Sequence, residues 1–493
     1  MVKVSIVVPG YKCDEYIFRN INSVLDQDYK NYEIIVVLNG VWDTKEQLKQ
    51  ELQDKYGDKV RVISMAEGHL GLANNVGFRS SSGDIISHLS SDLYLMPGTL
   101  RTWVETFKEH PEVGMVYSGY RFVDPDPSSV YYAKEFDRYH LECENFIDGA
   151  NPVRRQNWKE WSTNLKSLVD WDWVLSVTDD GTQALYHPEP LYFAEYPKEG
   201  GLSEDSNKNW VARRREIQKR HNIPDRKICI CSLEDQSYAL ELAKLLGCDY
   251  RIQPGHKPNT YDLIYAYGFN CRTADKELMA SSSLFFQHWK HKAVHWRTED
   301  IRLLMQERWL DVRRISEEIM PNIKNNFCTT QRDQSTLLHM GINAEIRYLP
   351  SIIHGVEKKE GISINDSAMM DQLKKSMPDV QFHLNELGCP ITVHYEDRSD
   401  RVLKSLALGN IVISNAFLKG VERVEGYTNV PELRKMLTHA IRRVKKNAPE
   451  LDQELLDSYR SRINPKKYKE MLEKIANQNV NKYGKLLMSE ANA

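Results

Sequence analysis

Four short segments near the N-terminus carry the side chains best suited to hold a polar ligand. They span residues 9–12, 38–43, 67–75 and 90–94, and all are rich in polar residues or glycine. Hydroxyls, amides and carboxylates of this kind can hold phosphates, sugars or hard cations. From the residues alone, a nucleotide-binding crevice and a set of ordinary connecting loops are equally good interpretations.

The elements around these segments are those of an α/β fold with a mostly parallel sheet. Apolar, β-branched runs predict strands over 4–9, 33–38, 60–65, 84–89 and 113–118. Helical patterns alternate with them, including helices over 73–82 and 98–110. In such sheets, ligands bind beyond the carboxyl ends of the strands, which is where the four polar segments fall.

Two helix starts are also predicted from local patterns. Asp14 is expected to cap a helix whose apolar stripe is Ile17, Ile21, Val24 and Leu25. Thr44, with Gln47 three residues later, is expected to form a capping box that opens the next helix.

Length and composition limit the class of protein. A chain of 493 residues, 41% hydrophobic and 27% charged, is expected to form two or three globular domains. The net charge of −3 argues against wholesale binding to nucleic acid, although a local basic patch stays open. The apolar runs are too short to span a bilayer, and residues 4–9 are interpreted as a buried strand rather than a signal peptide. Eight scattered cysteines indicate reduced thiols in a cytosolic protein.

Several ordered motifs resemble the family 2 glycosyltransferases of GT-A fold. They are carried by VSIVVPGYKCDEYIFRNINSVLDQDYKNYEIIVVLNG and EGHLGLANNVGFRSSSGDIISHLSSDLYLMPGTL, and continue through NFIDGANPVRRQNW and SLVDWDWVLSVTDDGTQALYHPEPLYFAEYPKEGGLS. The resemblance implies a Rossmann-like nucleotide-sugar transferase domain over residues 1–205. It therefore favours the nucleotide-binding crevice over the ordinary loops.

In that family, an Asp-x-Asp triplet holds a divalent ion that neutralises the diphosphate leaving group. The matching triplet here is Ser90, Ser91 and Asp92. The resemblance thus implies a Mn²⁺ or Mg²⁺ site in which Asp92 is the remaining carboxylate. One carboxylate suffices where phosphate oxygens and waters complete the coordination shell. The alternative is that Asp92 only caps the segment after its strand.

Further donor contacts are implied for Pro9, Tyr11, Asn39 and Asn75, with Tyr11 packing on the nucleobase. Asn39 stands where the family usually has an aspartate that contacts uracil. Either Asn39 recognises the base or the nucleotide is not uridine, and a UDP-sugar is the expected donor. Lys198 lies where the family often has a histidine, and it is expected to place positive charge near the diphosphate.

The family's general base is an aspartate that opens a helix beneath the acceptor site. The matching residue is Asp170, whose alternative role is that of an exposed carboxylate at a helix start. Trp171, Asp172 and Trp173 are expected to contact the acceptor. The alternatives are a core position for a tryptophan and a structural anchor for Asp172.

The second half is predicted to repeat the α/β pattern after a charged helical linker at 206–226. It resembles GT-B glycosyltransferases, with a first lobe at 227–350, a second lobe at 351–445 and a helical, basic tail at 446–493. Lys404 replaces the glutamate that contacts the donor in that family, which favours a binding lobe over a second active site. His295 is interpreted as a core histidine, with catalysis as the alternative.

The function expected from these observations is inverting transfer of a sugar from a nucleoside diphosphate to a hydroxyl of a glycan-type acceptor. Two alternatives stay open. One is a two-site glycan polymerase, and the other is a transferase whose second half binds a macromolecular acceptor, either protein or modified DNA. A cytoplasmic location is expected, with peripheral membrane contact through the basic tail as a further option.

Overall fold

The computed structural model divides into two compact units, Met1–Asp225 and Arg226–Ala493. The residues it describes are 2–123, 130–147, 150–195, 208–232, 236–252, 261–268, 292–298, 300–301, 305, 323–350, 359–365, 367–384, 389–394, 402, 405–408, 410–414, 421–423, 430–445 and 453–490. Lys198 and Lys404, which the sequence singled out, lie outside these residues.

The first unit is built on one mixed sheet of nine strands in the order β3-β2-β1-β4-β8-β6-β9-β5, with β7 paired to β6. The strands β1–β9 are Val4–Gly10, Tyr32–Asn39, Val60–Met65, Ile85–His88, Leu93–Leu95, Val113–Phe122, Val130–Tyr131, Pro152–Arg154 and Gln183–Ala194. The expectation of a mostly parallel sheet holds for β1–β4 and for the β6–β9 pair. The other described pairs are antiparallel and make the sheet mixed: β8 with β4 and β6, β7 with β6, and β5 with β9.

Helices cover the sheet and bury its apolar strands. The helices α1–α7 are Ile17–Leu25, Lys45–Tyr56, Leu70–Arg79, Thr99–Glu109, Arg138–Cys143, Val169–Thr178 and Trp210–Arg220. Helix α3 packs so closely on β1 that a Cβ at Gly77 would lie 2.2 Å from Val7. It begins earlier than predicted, because the His69 ring accepts hydrogen bonds from the backbone N–H groups of Gly71 and Leu72.

Neither predicted helix cap forms. Helices α1 and α2 have no side-chain cap. Instead, the Asp14 carboxylate accepts hydrogen bonds from Trp42 Nε1, at 3.1 Å, and from the Thr44 hydroxyl. A long-range contact between the segments that follow β1 and β2 therefore takes the place of the two predicted helix caps.

The described part of the expected linker is helical and packs into the first unit. The indole of Trp210, in α7, stacks on that of Trp171 with centroids 5.9 Å apart, and Ile217 is fully buried in the same apolar core. The first compact unit runs to Asp225 and includes this helix.

The second unit contains two parallel sheets, of six and five strands, consistent with Rossmann-like lobes. The first, in the order β11-β10-β12-β13-β14-β15, consists of β10–β15, which are Ile228–Cys231, Asp249–Arg251, Leu263–Tyr267, Lys292–Trp296, Asn325–Cys328 and Glu345–Ile346. The second, in the order β17-β16-β18-β19-β20, consists of β16–β20, which are Ile362–Ile364, Phe382–Leu384, Ile391–His394, Ile411–Ser414 and Val421–Arg423.

The C-terminal helices return across the second unit. Its described helices α8–α13 are Gln236–Leu246, Gln331–His339, Ser367–Ser376, Val430–Lys445, Gln453–Arg462 and Pro465–Glu490. Tyr459 of α12 packs against Leu406 and Val412, beside the five-stranded sheet. The Tyr468 hydroxyl of α13 lies 2.6 Å from that of Tyr265 in the six-stranded sheet. The C-terminal helices therefore contact both sheets of the second unit.

His295 is a core residue of the six-stranded sheet, as expected. Its ring is fully buried between the Tyr265 hydroxyl, 2.7 Å from Nδ1, and the Thr329 hydroxyl, 3.0 Å from Nε2. Burial lowers the pKa of His295 to about 3, so the ring is neutral near pH 7. No helix among the described residues is long and apolar enough to cross a membrane.

Candidate active site

The polar segments after β1, β2 and β3 meet at one edge of the first sheet. Gly40 has a φ of +92°, and a Cβ there would lie 2.8 Å from the Tyr11 ring and 3.3 Å from the Gly68 Cα. Tyr11 is about half exposed and meets Trp42 edge to face, with centroids 5.7 Å apart. A glycine is needed at Gly40 for the aromatic ring to lie across the strand end. This exposed ring offers a flat surface of the kind on which a nucleobase packs.

Two of the expected donor contacts lie beneath this edge. Pro9 is buried within β1, opposite Val37. Asn39 is 5% exposed, and its Nδ2 donates to the Gly10 carbonyl oxygen at 3.0 Å. Asn39 thus ties β2 to β1, and any base recognition by this residue stays a prediction.

Lys45 supplies a buried positive charge at the same edge, and the sequence analysis missed it. Its ammonium donates to the carbonyl oxygens of Gly40, at 2.6 Å, and Met65, at 2.7 Å, and lies 5.6 Å from the Trp42 ring centroid. The charge is held by the ends of β2 and β3, where it favours an anionic ligand.

Asn75 is a structural clamp in this conformation. Its Nδ2 donates to the Trp161 carbonyl oxygen at 2.9 Å, and its Oδ1 accepts from the Trp161 N–H at 2.8 Å. The side chain is 3% exposed, so both of its polar ends are engaged within the protein. A direct donor contact by Asn75 stays a prediction.

The Ser90–Ser91–Asp92 triplet forms a turn whose backbone is held from below. The Leu93 N–H donates to the Ser90 carbonyl oxygen at 2.9 Å. The fully buried Asn20 of α1 donates from Nδ2 to the carbonyl oxygens of Ser90, at 2.9 Å, and Leu93, at 2.7 Å. The triplet is therefore fixed before any ligand binds.

Asp92 is solvent-accessible at this turn and has a second carboxylate as its cross-strand neighbour. The Glu195 N–H, just beyond β9, donates to the Asp92 carbonyl oxygen at 3.1 Å. Partial desolvation raises the pKa of the Asp92 carboxyl, and the negative charge of Glu195 raises it further. Arg19 offsets the Glu195 charge through an ion pair of 3.0 Å, and the Tyr94 hydroxyl donates to the same carboxylate.

The residues at this turn fit a divalent cation held mainly by a ligand's phosphates. Asp92 presents an accessible carboxylate, Ser90 and Ser91 add hydroxyls, and the repulsion from Glu195 would be relieved by a cation. No group of three or more histidine, cysteine, aspartate or glutamate side chains placed to hold a metal occurs among the described residues. The protein part of such a site is thus small, as is usual for Mg²⁺ bound with a nucleotide.

Asp170 lies in the first turn of α6, directly after a strained backbone position. Leu168, the residue before the helix, has a φ of +60°, which is costly for a branched side chain and often marks functional sites. The Asp170 side chain remains partly exposed and accepts a hydrogen bond from Asn145 Nδ2 at 3.0 Å. Desolvation raises the pKa of its carboxyl, which makes the carboxylate a stronger base than an ordinary aspartate.

The three residues expected to contact the acceptor are buried, and that expectation is corrected. Trp171 and Trp173 are no more than 1% exposed, and their Nε1 atoms donate to the carbonyl oxygens of Leu141 and Lys159. Asp172 is 1% exposed. The physical reason is that α6 is packed on nearly every side, so that few of its residues, among them Asp170, reach solvent.

Asp172 instead anchors the end of α7. Its Oδ1 accepts from Arg220 Nε at 2.8 Å and lies 3.0 Å from His221 Nε2, while His221 Nδ1 lies 2.8 Å from Asp179 Oδ2. Burial opposes a charge on His221, but the hydrogen bonds that the imidazole donates to the carboxylates of Asp172 and Asp179 outweigh it and raise the pKa of the imidazole. The anchor therefore explains why residues 210–220 belong to the first unit.

The Ser90 hydroxyl also has a buried partner that the sequence analysis did not single out. Ser90 Oγ lies 3.1 Å from His88 Nε2, and His88 Nδ1 lies 3.0 Å from Asn74 Oδ1. Burial lowers the pKa of His88 to about 4, so its ring is neutral near pH 7.

The first domain is similar in sequence to a known family. Residues 5–160 match the model of Glycosyl transferase family 2. An uncharacterized glycosyltransferase of Rickettsia conorii is 36% identical over 132 residues, 27% of this chain and 22% of its own length. The chondroitin synthase of Pasteurella multocida is 28% identical over 186 residues, 36% of this chain and 19% of its own length. The matched part spans less than half of these relatives.

Among solved structures, TarS 1-349 of S. aureus in complex with UDP-GlcNAc aligns with a TM-score of 0.38 at 19% identity, covering 44% of this chain and 66% of that one. This TM-score is low, so the fold of the first domain is defined by the strand order of this chain and not by the alignment. Over residues 5–160, the N-terminal domain therefore matches the family 2 glycosyltransferases.

Proposed function

We propose that this chain transfers a sugar, with inversion, from a nucleoside diphosphate sugar to a hydroxyl of a glycan-type acceptor. The observation that carries the proposal is the position of Asp170, an accessible carboxylate of raised pKa in a domain that matches the transferase family. The acceptor oxygen attacks the anomeric carbon as the bond to the diphosphate oxygen breaks. Asp170 takes the hydroxyl proton, and the nucleoside diphosphate leaves.

The donor is assigned to the edge that carries Tyr11, Gly40 and the Ser90–Asp92 turn. Tyr11 packs on the base, and the charge of Lys45 favours the anionic diphosphate. A divalent cation, Mn²⁺ or Mg²⁺, would neutralise the leaving group at Asp92. A UDP-sugar is the proposed donor, and Lys198, outside the described residues, is retained as a further diphosphate contact.

The second unit is proposed to bind the acceptor rather than to transfer a sugar. Its two parallel sheets favour one competing function, a second transferase site in a two-site polymerase of glycans. The similarity of the first domain to a chondroitin synthase is compatible with polysaccharide biosynthesis in either case. A protein or modified-DNA acceptor, and membrane contact through the basic tail, stay as alternatives for the partner of this unit.

The base assignment is tested by a matched pair of variants, Asp170→Asn and Asp172→Asn. The first keeps an acceptor for Asn145 and should lower turnover of the nucleotide sugar by about 100-fold or more while donor affinity stays within about twofold. The second should lower the melting temperature, with activity lost only in proportion to unfolding. Unchanged turnover in Asp170→Asn would remove Asp170 from the mechanism.

A further inference from the structure

Three buried or partly buried side chains form a continuous hydrogen-bonded chain that ends at the Ser90–Asp92 turn. Asn74 is fully buried in α3, and His88, at the end of β4, is 6% exposed. Asn74 Oδ1 lies 3.0 Å from His88 Nδ1, and His88 Nε2 lies 3.1 Å from Ser90 Oγ. Ser90 is partly exposed, so the chain leads from the core to the candidate site.

The direction of these hydrogen bonds is set by the orientation of the Asn74 amide and by the tautomer of His88. A neutral imidazole carries one N–H, and a carbonyl oxygen can only accept. With the Asn74 amide oriented so that Oδ1 faces Nδ1 of a neutral ring, the hydrogen lies on Nδ1, and Nε2 accepts from the Ser90 hydroxyl. The hydroxyl hydrogen of Ser90 therefore points inward, and the lone pairs of its oxygen point toward the ligand side.

The backbone of Ser90 is fixed as well. Asn20 holds its carbonyl oxygen and that of Leu93 from below. With both the backbone and the side-chain rotamer held, Ser90 Oγ is a preorganised acceptor, and no side-chain ordering is required when a ligand binds. The position is that of the carboxylate that the Asp-x-Asp motif lacks here.

We propose that His88 is a positioning residue that holds Ser90 Oγ as a fixed acceptor for an O–H group of the donor complex. This inference rests on the proposed function. The O–H group has two sources, a hydroxyl of the donor ribose or a water bound to the divalent cation. In either case a neutral oxygen, oriented by His88, takes over hydrogen bonding that a carboxylate would otherwise provide.

Two polar substitutions at His88 separate this role from a contribution to the fold. In His88→Asn, the amide takes the place of Nδ1 and keeps the bond to Asn74 but is too short to reach Ser90. In His88→Gln, the amide oxygen takes the place of Nε2 and can accept the Ser90 hydroxyl hydrogen. Dissociation constants of the full chain for UDP, and in parallel for GDP, are measured by calorimetry with Mn²⁺ and with chelator.

His88→Asn and Ser90→Ala should each weaken binding about fivefold, the scale of one hydrogen bond. His88→Gln should stay within about twofold of the wild type. In the Ser90→Ala background, His88→Asn should cause no further loss, because His88 acts only through Ser90. An effect confined to the Mn²⁺ arm identifies a metal-bound water, and an effect that persists with chelator identifies the ribose.

Two results would overturn the inference while leaving the proposed function in place. One is equal binding by His88→Asn and His88→Gln, and the other is an additive loss in the double variant. If a variant has a lowered melting temperature, the comparison is repeated below its unfolding transition, and the non-additivity remains the deciding result. If the wild type binds neither UDP nor GDP under either condition, the proposed function itself is wrong, and the inference falls with it.

Discussion

At the scale of single residues, two carboxyls of raised pKa have different proposed roles, one as a cation ligand and the other as the general base. Asp92 is accessible beside Glu195, and Asp170 is partly buried beside Asn145. A charged carboxylate is disfavoured at both positions in the ligand-free fold, which is the expected cost of keeping a cation ligand and a base ready.

Removal of the Asp92 charge should weaken nucleotide binding only where a metal takes part. We expect Asp92→Asn to raise the dissociation constant of UDP with Mn²⁺ by about tenfold, because one charge-assisted ligand is lost. Calorimetry with Mn²⁺ and with chelator measures the difference. Asp58→Asn, which removes an exposed carboxylate from a 3₁₀ turn, is the matched control. Equal affinity in Asp92→Asn and wild type with Mn²⁺ would exclude Asp92 from the cation site.

The raised pKa of Asp170 also predicts the pH dependence of transfer. A base must be deprotonated to act, so kcat should fall as pH drops through this pKa, which lies above the ordinary aspartate range. The pH profile of kcat for the wild type should therefore have an acid limb above that range. Asp170→Asn should lack this limb, and a variant that kept it would assign the limb to another group.

The candidate site was only partly predictable from the sequence, and the residues show why. Asp92 and Asp170 were singled out because the segments around them resemble motifs of a known family. Glu195 was missed, since it meets Asp92 only through the antiparallel pairing of β5 with β9, across about a hundred residues. His88 had an available signal, an ionisable residue at the end of a short buried strand.

At the scale of elements, helix α7 is the feature that sequence patterns placed least well. Its charged composition suggested a solvated linker, but Trp210 and Ile217 face the core, and its last residue contacts Asp172. A pattern of charges in the sequence indicates which residues could be solvated. It does not indicate which residues distant in sequence they contact in the fold. The strands β1–β4 were predictable because continuous runs of β-branched residues are typical of buried strands in parallel sheets.

Truncation measures the contribution of α7 to the first unit. We expect a fragment of residues 1–225 to unfold cooperatively, and a fragment of residues 1–205 to be less stable by about 3 kcal/mol or more, because the buried Asp172 carboxylate loses its partners. Urea unfolding followed by tryptophan fluorescence compares the two. Equal midpoints and slopes would show that α7 is a linker after all.

The anchor also predicts how stability depends on pH. The folded pKa of His221 is raised, so its contribution is fully present below the unfolded value of about 6.5 and is lost as pH rises through the folded pKa. The free energy of unfolding of the 1–225 fragment should therefore decline over that interval. His221→Gln should be less stable at pH 6 and should lack this decline. A decline of equal size in the variant would assign it elsewhere.

At the scale of the whole molecule, two compact units share one chain, and the described chemistry lies in the first. The second unit has the parallel sheets and the C-terminal helical tail that the sequence led us to expect. The residue that was expected to distinguish a binding lobe from a second active site, Lys404, lies outside the described residues. Activity measurements on variants of each unit, and not the fold, are therefore needed to assign the roles of the two units.

The central claim is tested most directly by nucleotide release from a panel of UDP- and GDP-sugars incubated with the purified full chain. The measurement is made with Mn²⁺, with chelator, and with Asp170→Asn in parallel. The account predicts that at least one sugar donor is turned over with Mn²⁺, and that this turnover is lost with chelator and falls by about 100-fold in the variant. Equal turnover by wild type and Asp170→Asn, or no turnover of any donor by the wild type, would contradict it.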